Sequence, residues 1–131
     1  MMIRKIGATV LFVKDLERCA AFYRDVLGFK VTFTDDVSVA YRVDDYDFVV
    51  LQVSAAVNMI GEETLSPQQV TGYRMLLCAD VDSVDATYEA LVGKGVTFIH
   101  APADQPWGIR SAYFADPEGN LWEIRQQLAA R

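Results

Sequence analysis

Glu123 is the residue whose surroundings ask for a chemical explanation. It lies in Leu121-Trp122-Glu123-Ile124, an acid inside an otherwise apolar strand pattern. An ionised carboxylate is costly to bury unless something pairs with it. The side chain is therefore either a site residue or one that escapes to water. Trp107 is a second candidate. It sits in Gln105-Pro106-Trp107-Gly108, where proline and glycine fix the loop. Its indole can lid a cleft and stack on a planar ligand, or plug the end of a sheet. The single histidine, His100, follows a predicted strand and is read as a loop or strand-end side chain in contact with water. Cys19 and Cys78 fall in apolar-patterned segments with neither CxxC nor zinc spacing. They are read as reduced, buried thiols.

The elements that must position these groups follow from periodicity. Residues 6–13 form an apolar run long enough for a strand. Asp15 offers a helix N-cap, and Leu16, Cys19, Ala20, Tyr23 and Val26 or Leu27 repeat at helical spacing until Gly28 stops the helix. Residues 29–34 alternate as a strand, and residues 37–43 and 48–53 give two more, joined by the acidic turn Asp44-Asp45-Tyr46-Asp47. Residues 54–72 break the pattern and read as a long connection with at most a short helical turn. The arrangement then recurs. Residues 74–81 form a strand, Ser83 is an N-cap candidate, and Val84, Thr87, Tyr88, Leu91 and Val92 line a helix that Gly93 and Gly95 end. Strands at 96–99, 111–114 and 121–124 follow, the last two around the turn Asp116-Pro117-Glu118-Gly119-Asn120.

The expected fold is therefore α+β, with two tandem βαβββ modules whose curled mixed sheets enclose a cleft. Module one spans 1–53, the connection 54–72 and module two 73–131, within one domain. The segment Val13-Lys14-Asp15-Leu16-Glu17 corresponds to Val81-Asp82-Ser83-Val84-Asp85. A duplicated unit that cannot cover its own apolar sheet face must pack against its copy.

Bulk properties narrow the partners. At 131 residues and 52% hydrophobic, the chain suits a small packed protein. No apolar run approaches the roughly 20 residues of a membrane helix, and the start lacks a signal-peptide core. The expected location is the cytoplasm, with no membrane partner. A net charge of −6 disfavours nucleic acid. It could attract a cationic ligand, although acidity of this size more commonly serves solubility.

The segment Leu16-Glu17-Arg18-Cys19-Ala20-Ala21-Phe22-Tyr23-Arg24-Asp25-Val26-Leu27-Gly28-Phe29 resembles the "DLE…FY…LGF" signature of vicinal oxygen chelate proteins. Pro106-Trp107-Gly108 and Asp116-Pro117-Glu118-Gly119-Asn120-Leu121-Trp122-Glu123 resemble its "PWG" and "DPDGN…E" signatures. That superfamily includes glyoxalase I, bleomycin-resistance proteins and extradiol dioxygenases. In its metalloenzymes four His or Glu side chains on strands hold a divalent metal. Carried over, those positions are Ala8, Gln52, Leu76 (Arg74 or Met75 on a short slip) and Glu123. Of these, Glu123 can ligate strongly, Gln52 offers one neutral oxygen, and the others offer nothing. Neither a metal nor another cofactor is expected.

What the resemblance then implies is closest to the bleomycin-resistance branch. That is a homodimer whose cleft binds and sequesters a small planar or aromatic molecule, an antibiotic among the candidates. By strand alternation, with Trp107 added from its loop, the ligand-binding residues are Phe12, Phe48, Gln52, Arg74, Leu76, Trp107, Ser111, Tyr113 and Glu123. Trp122 alternates with Glu123 and is expected in the core, with Tyr23 and Tyr88. Two alternatives stay open: a metal-dependent lyase, isomerase or dioxygenase of the glyoxalase type, with Glu123 and Gln52 on the metal, and an interaction module whose cleft is vestigial. A metal-free enzyme with Glu123 as general base is a variant of the first.

Overall fold

The computed structural model describes residue 2, residues 4–62 and residues 75–129, and the chain divides into two compact units, Met1–Val70 and Thr71–Arg131. The first unit runs β1 (Ala8–Val13), α1 (Leu16–Ala21), a π-helical turn (Phe22–Val26), β2 (Lys30–Thr34), β3 (Ser38–Val43), β4 (Tyr46–Gln52) and α2 (Val53–Ile60). Its sheet has the order β1-β4-β3-β2, with β1 parallel to β4 and the other pairs antiparallel.

Local chemistry sets these boundaries. The Asp15 carboxylate accepts the Arg18 N–H at 3.1 Å and caps α1. The stripe that predicts one helix to Leu27 is an α-helix followed by a wider turn, in which the Leu27 N–H reaches the Phe22 carbonyl. Gly28, at φ 75°, ends it. Asp44, at φ 56°, takes the left-handed conformation that a two-residue hairpin between β3 and β4 requires. The core of this unit is aromatic. Tyr23 from the π-helical turn lies 4.8 Å from Phe48, 5.7 Å from Phe29 and 6.1 Å from Tyr41, centroid to centroid. The buried Tyr41 hydroxyl donates to the Ala20 carbonyl at 2.7 Å.

The second unit runs β5 (Leu77–Asp80), α3 (Val84–Gly93), β6 (Phe98–Asp104), β7 (Ile109–Ala115) and β8 (Leu121–Gln127), with sheet order β5-β8-β7-β6 and β5 parallel to β8. Each unit is thus strand, helix and three strands in the same spatial order. Ser83 caps α3 through the Ala86 N–H at 3.1 Å, and Gln126 Oε1 accepts the Val84 N–H at 2.6 Å. Phe98 packs on Tyr88 and Phe114, and Phe114 stacks on Trp122, so Trp122 lies in the core on the α3 side.

Three expectations need correction. The chain after Gln52 enters α2 at once, so an eight-residue helix opens the connection. Strand β6 extends to Asp104, which puts His100 inside a strand and not in a loop. Cys78 is exposed, while Cys19 is buried. The later connection and Arg74 lie outside the described residues. Among the described residues, no helix is long and apolar enough to cross a membrane.

Candidate functional site

Strand register in the second unit assembles the site. Cys78 on β5 pairs with Glu123 on β8, Glu123 pairs with Tyr113 on β7, and Tyr113 pairs with His100 on β6. One rung therefore carries a thiol, a carboxylate, a phenol and an imidazole across all four strands. Paired residues point to the same side of a sheet, and alternate positions Phe114 and Trp122 take the side packed on α3. The rung lies on the opposite side. Irregularities in β6 on either side of His100 adjust the pairing there.

The hydrogen bonds on this rung converge on Glu123. The Tyr113 hydroxyl donates to Oε2 at 2.9 Å and the Cys78 thiol donates to Oε1 at 3.2 Å. Glu123 is only 5% exposed, so these donors replace water for a carboxylate that burial would otherwise penalise. Ser111, two pairs along and on the same face, is 1% exposed and accepts from Gln105 Nε2 at 3.1 Å. The His100 ring meets the Tyr113 ring edge-on, centroids 6.0 Å apart. Beyond Glu123, Arg125 pairs with Asp80 at 2.9 Å at the surface. Burial pushes the Cys78 thiol up, and its hydrogen bond to Glu123 and the nearby negative charge push it further. For Tyr113 the hydrogen bond with Ser111 pulls downward. Burial and the bond to Glu123 outweigh it and leave the phenol raised.

Beside this rung is a hollow of about 540 Å³. Ile99, Ala101, Ala103 and Leu121 give it apolar walls, and His100, Gln105 and Tyr113 give it polar ones. Trp107 lies two residues from Gln105 in the turn to β7, closed by the Gly108 N–H to the Gln105 carbonyl at 3.1 Å, and is 65% exposed.

Of the residues expected to bind a ligand, the second unit brings Ser111, Tyr113 and Glu123 together, while Trp107 lies in the turn before β7 and outside the lining of the hollow. Leu76 lies one residue before β5 and is exposed. In the first unit, Phe12 is exposed on β1, whereas Phe48 is buried among Tyr23, Phe29 and Tyr41. The register explains this: Val13 pairs with Gln52, Leu11 with Val50 and Thr9 with Phe48, so Phe48 and Gln52 share the core side, while Ala8, Val10 and Phe12 take the other. Phe48 and Gln52 thus leave the face on which the sequence reading placed them with Ala8. Residues missed as site members are Cys78, His100 and Gln105. Cys78 was detectable, since it alternates with Leu76 on one strand and β5 pairs with β8.

Among the described residues, the family-type metal finds no fitting donor set. The capping residues Asp15 and Ser83 are equivalent in the two units, which makes Val10 the counterpart of Cys78. Val10 pairs with Val49 and Val49 with Ala40, so Glu123's counterpart is Val49 and Tyr113's is Ala40. That rung of the first unit offers no ligand at all. Among the described residues, no three His, Cys, Asp or Glu side chains are grouped closely enough to hold a metal.

Comparison with known proteins gives a consistent picture. The profile of the Glyoxalase/Bleomycin resistance protein/Dioxygenase superfamily matches residues 5–124. YraH of Bacillus subtilis (strain 168) is 32% identical over 122 residues, covering 90% of this chain and 94% of YraH. The metallothiol transferase FosB of Lysinibacillus sphaericus (strain C3-41) is 27% identical over 124 residues, 95% of this chain and 83% of FosB. A crystal structure of a glyoxalase/bleomycin resistance protein/dioxygenase from Nocardioides superposes with a TM-score of 0.84 at 24% identity, over 98% of this chain and 87% of that one, a likeness of fold.

Proposed function

The chain belongs to the glyoxalase/bleomycin resistance protein/dioxygenase superfamily, and from that premise we propose that it binds and sequesters a small, planar, partly apolar molecule without a metal. One observation carries this reading. A buried carboxylate is held by two neutral hydrogen-bond donors, Tyr113 and Cys78, and Tyr113 in turn lines a mainly apolar hollow. Binding sites commonly combine apolar walls with a few placed polar groups. The exposed indole of Trp107, two residues along the chain from Gln105, gives a planar ligand a surface to stack on and gives the experimenter a signal. Titration of the protein with a panel of planar aromatic antibiotics, following tryptophan emission and checked by equilibrium dialysis, should show saturable binding. Absence of saturation by dialysis across the panel would overturn the reading.

The likeness to FosB favours a second reading, a metal-dependent transferase or lyase. The donor set argues against it, because Ala8 and Leu76 stand at two of the four positions where the resemblance puts ligands, and neither side chain can hold a metal. Elemental analysis of protein purified without chelators separates the two. Stoichiometric zinc, nickel, manganese or iron would favour the enzyme.

A further inference from the structure

Resting on that reading, we propose that the hollow of the second unit selects planar ligands that bring a hydrogen-bond-donating cation, such as an amidinium, guanidinium or protonated ring nitrogen, to the oxygen of Tyr113. The argument comes from the direction of the protons. Gln105 donates to Ser111, Tyr113 donates to Glu123, and Cys78 donates to Glu123. A phenol has one proton to give. With that proton held by the carboxylate at 2.9 Å and one lone pair engaged by the Ser111 hydroxyl, what Tyr113 can still offer to the hollow it lines is its remaining acceptor lone pair. An incoming carbonyl, phenolate or carboxylate would meet oxygen with oxygen. An incoming N–H meets an acceptor.

Charge reinforces the preference. Glu123 stands directly behind Tyr113, shielded from water, and a charge in such surroundings acts more strongly than one in solvent. Glu123 itself is too buried to be the contact. It acts through Tyr113 as a positioning residue that fixes the direction of the phenolic proton. Ile99, Ala101, Ala103 and Leu121 accept the apolar frame of the ligand, and the crossed rings of Tyr113 and His100 bound it on the polar side. The net charge of −6 draws cations from a distance but cannot by itself distinguish one cation from another.

Three isosteric probes test this: benzamidine, benzamide and benzoate, titrated into the whole protein by ligand-observed NMR. Benzamidine should bind about tenfold more tightly than benzamide, with benzoate weaker than both, a difference of about 1.4 kcal/mol in the first pair. Tyr113→Phe removes the acceptor and should bring benzamidine to within about twofold of benzamide. Glu123→Gln removes the charge and lets a carboxamide N–H face the phenol, which frees the phenolic proton to turn toward the hollow. Its benzamidine preference should fall and its benzoate binding should rise, a reversal that simple loss of packing would not produce. If Glu123→Gln fails to fold by circular dichroism, the Tyr113→Phe comparison decides alone. Equal binding of benzamidine and benzamide to the unmodified protein, or an undiminished preference in folded Tyr113→Phe, overturns the proposal and leaves planar-ligand binding standing. No saturable binding of any probe overturns it, and failure across the antibiotic panel as well removes the reading beneath it.

Discussion

A thiol that donates to a carboxylate loses acidity twice, once because its proton is held and once because the thiolate would form beside a like charge. Cys78 is in that position. Burial is the largest influence raising its pKa and these two effects add to it, so the thiolate is scarce at neutral pH despite the exposure of the residue. Iodoacetamide should therefore modify Cys78 slowly at pH 8. Glu123→Gln removes the charge, lowers the thiol pKa and should speed alkylation about three- to tenfold. Mass spectrometry of the Cys78 peptide measures this, with buried Cys19 as the internal reference, and a rate that fails to rise would contradict the account. Tyr41 gives a second residue-scale prediction. Burial is the largest influence on it and pushes the phenol up to about 12. The folded state thus holds this proton more tightly than the unfolded chain, whose tyrosines titrate near ~10. The corresponding stability is complete below that value and is lost as pH rises toward the folded pKa. Tyr41→Phe should lose about 1 kcal/mol at pH 7 with the bond to the Ala20 carbonyl. It should also show a smaller decline between pH 9 and about 11, read by urea denaturation at each pH.

At the scale of elements, the turn between β7 and β8 holds the site rung in place. Asp116 Oδ1 accepts the Glu118 N–H at 2.9 Å and the Asn120 N–H at 2.8 Å, and Oδ2 accepts from Asn120 Nδ2 at 2.8 Å. Gly119, at φ 86°, completes the turn in a conformation that side chains resist. Asp116→Ala strands two N–H groups and should cost about 2–4 kcal/mol by denaturant titration. A slip of one residue would move Tyr113 to the other face of the sheet, so probe binding should fall along with stability. Much of this scale was readable from the chain. Asp15 and Ser83 announced their helices, and the alternation of Trp122 and Glu123 separated core from site. The misplacement of Phe48 and Gln52 has a physical cause. Phe48-Val49-Val50-Leu51 is apolar on both faces, so alternation cannot orient it, and only its pairing with β1 does. His100 was missed because Ala101-Pro102-Ala103 lacks strand propensity. Proline is tolerated there because β6 is the edge strand. The π-helical turn was also invisible, since apolar spacing does not separate it from an α-helix continuing to Leu27.

For the whole molecule, charge and duplication are the relevant features. The acidic balance of −6 adds a long-range attraction for cations that salt screens within about 8 Å at physiological ionic strength. Benzamidine binding should therefore weaken severalfold between low and about 0.5 M salt, while benzamide binding stays level. Equal salt responses of the two probes would show that net charge plays no part. The duplication has a different consequence. Val10, Val49 and Ala40 occupy in the first unit the rung that Cys78, Glu123 and Tyr113 occupy in the second. Backbone hydrogen bonds build both rungs and are indifferent to which side chains stand on them. The same backbone therefore carries an aliphatic rung in one unit and an ionisable rung in the other, and the three side chains of a rung can differ between the copies without disturbing the pairing that builds either.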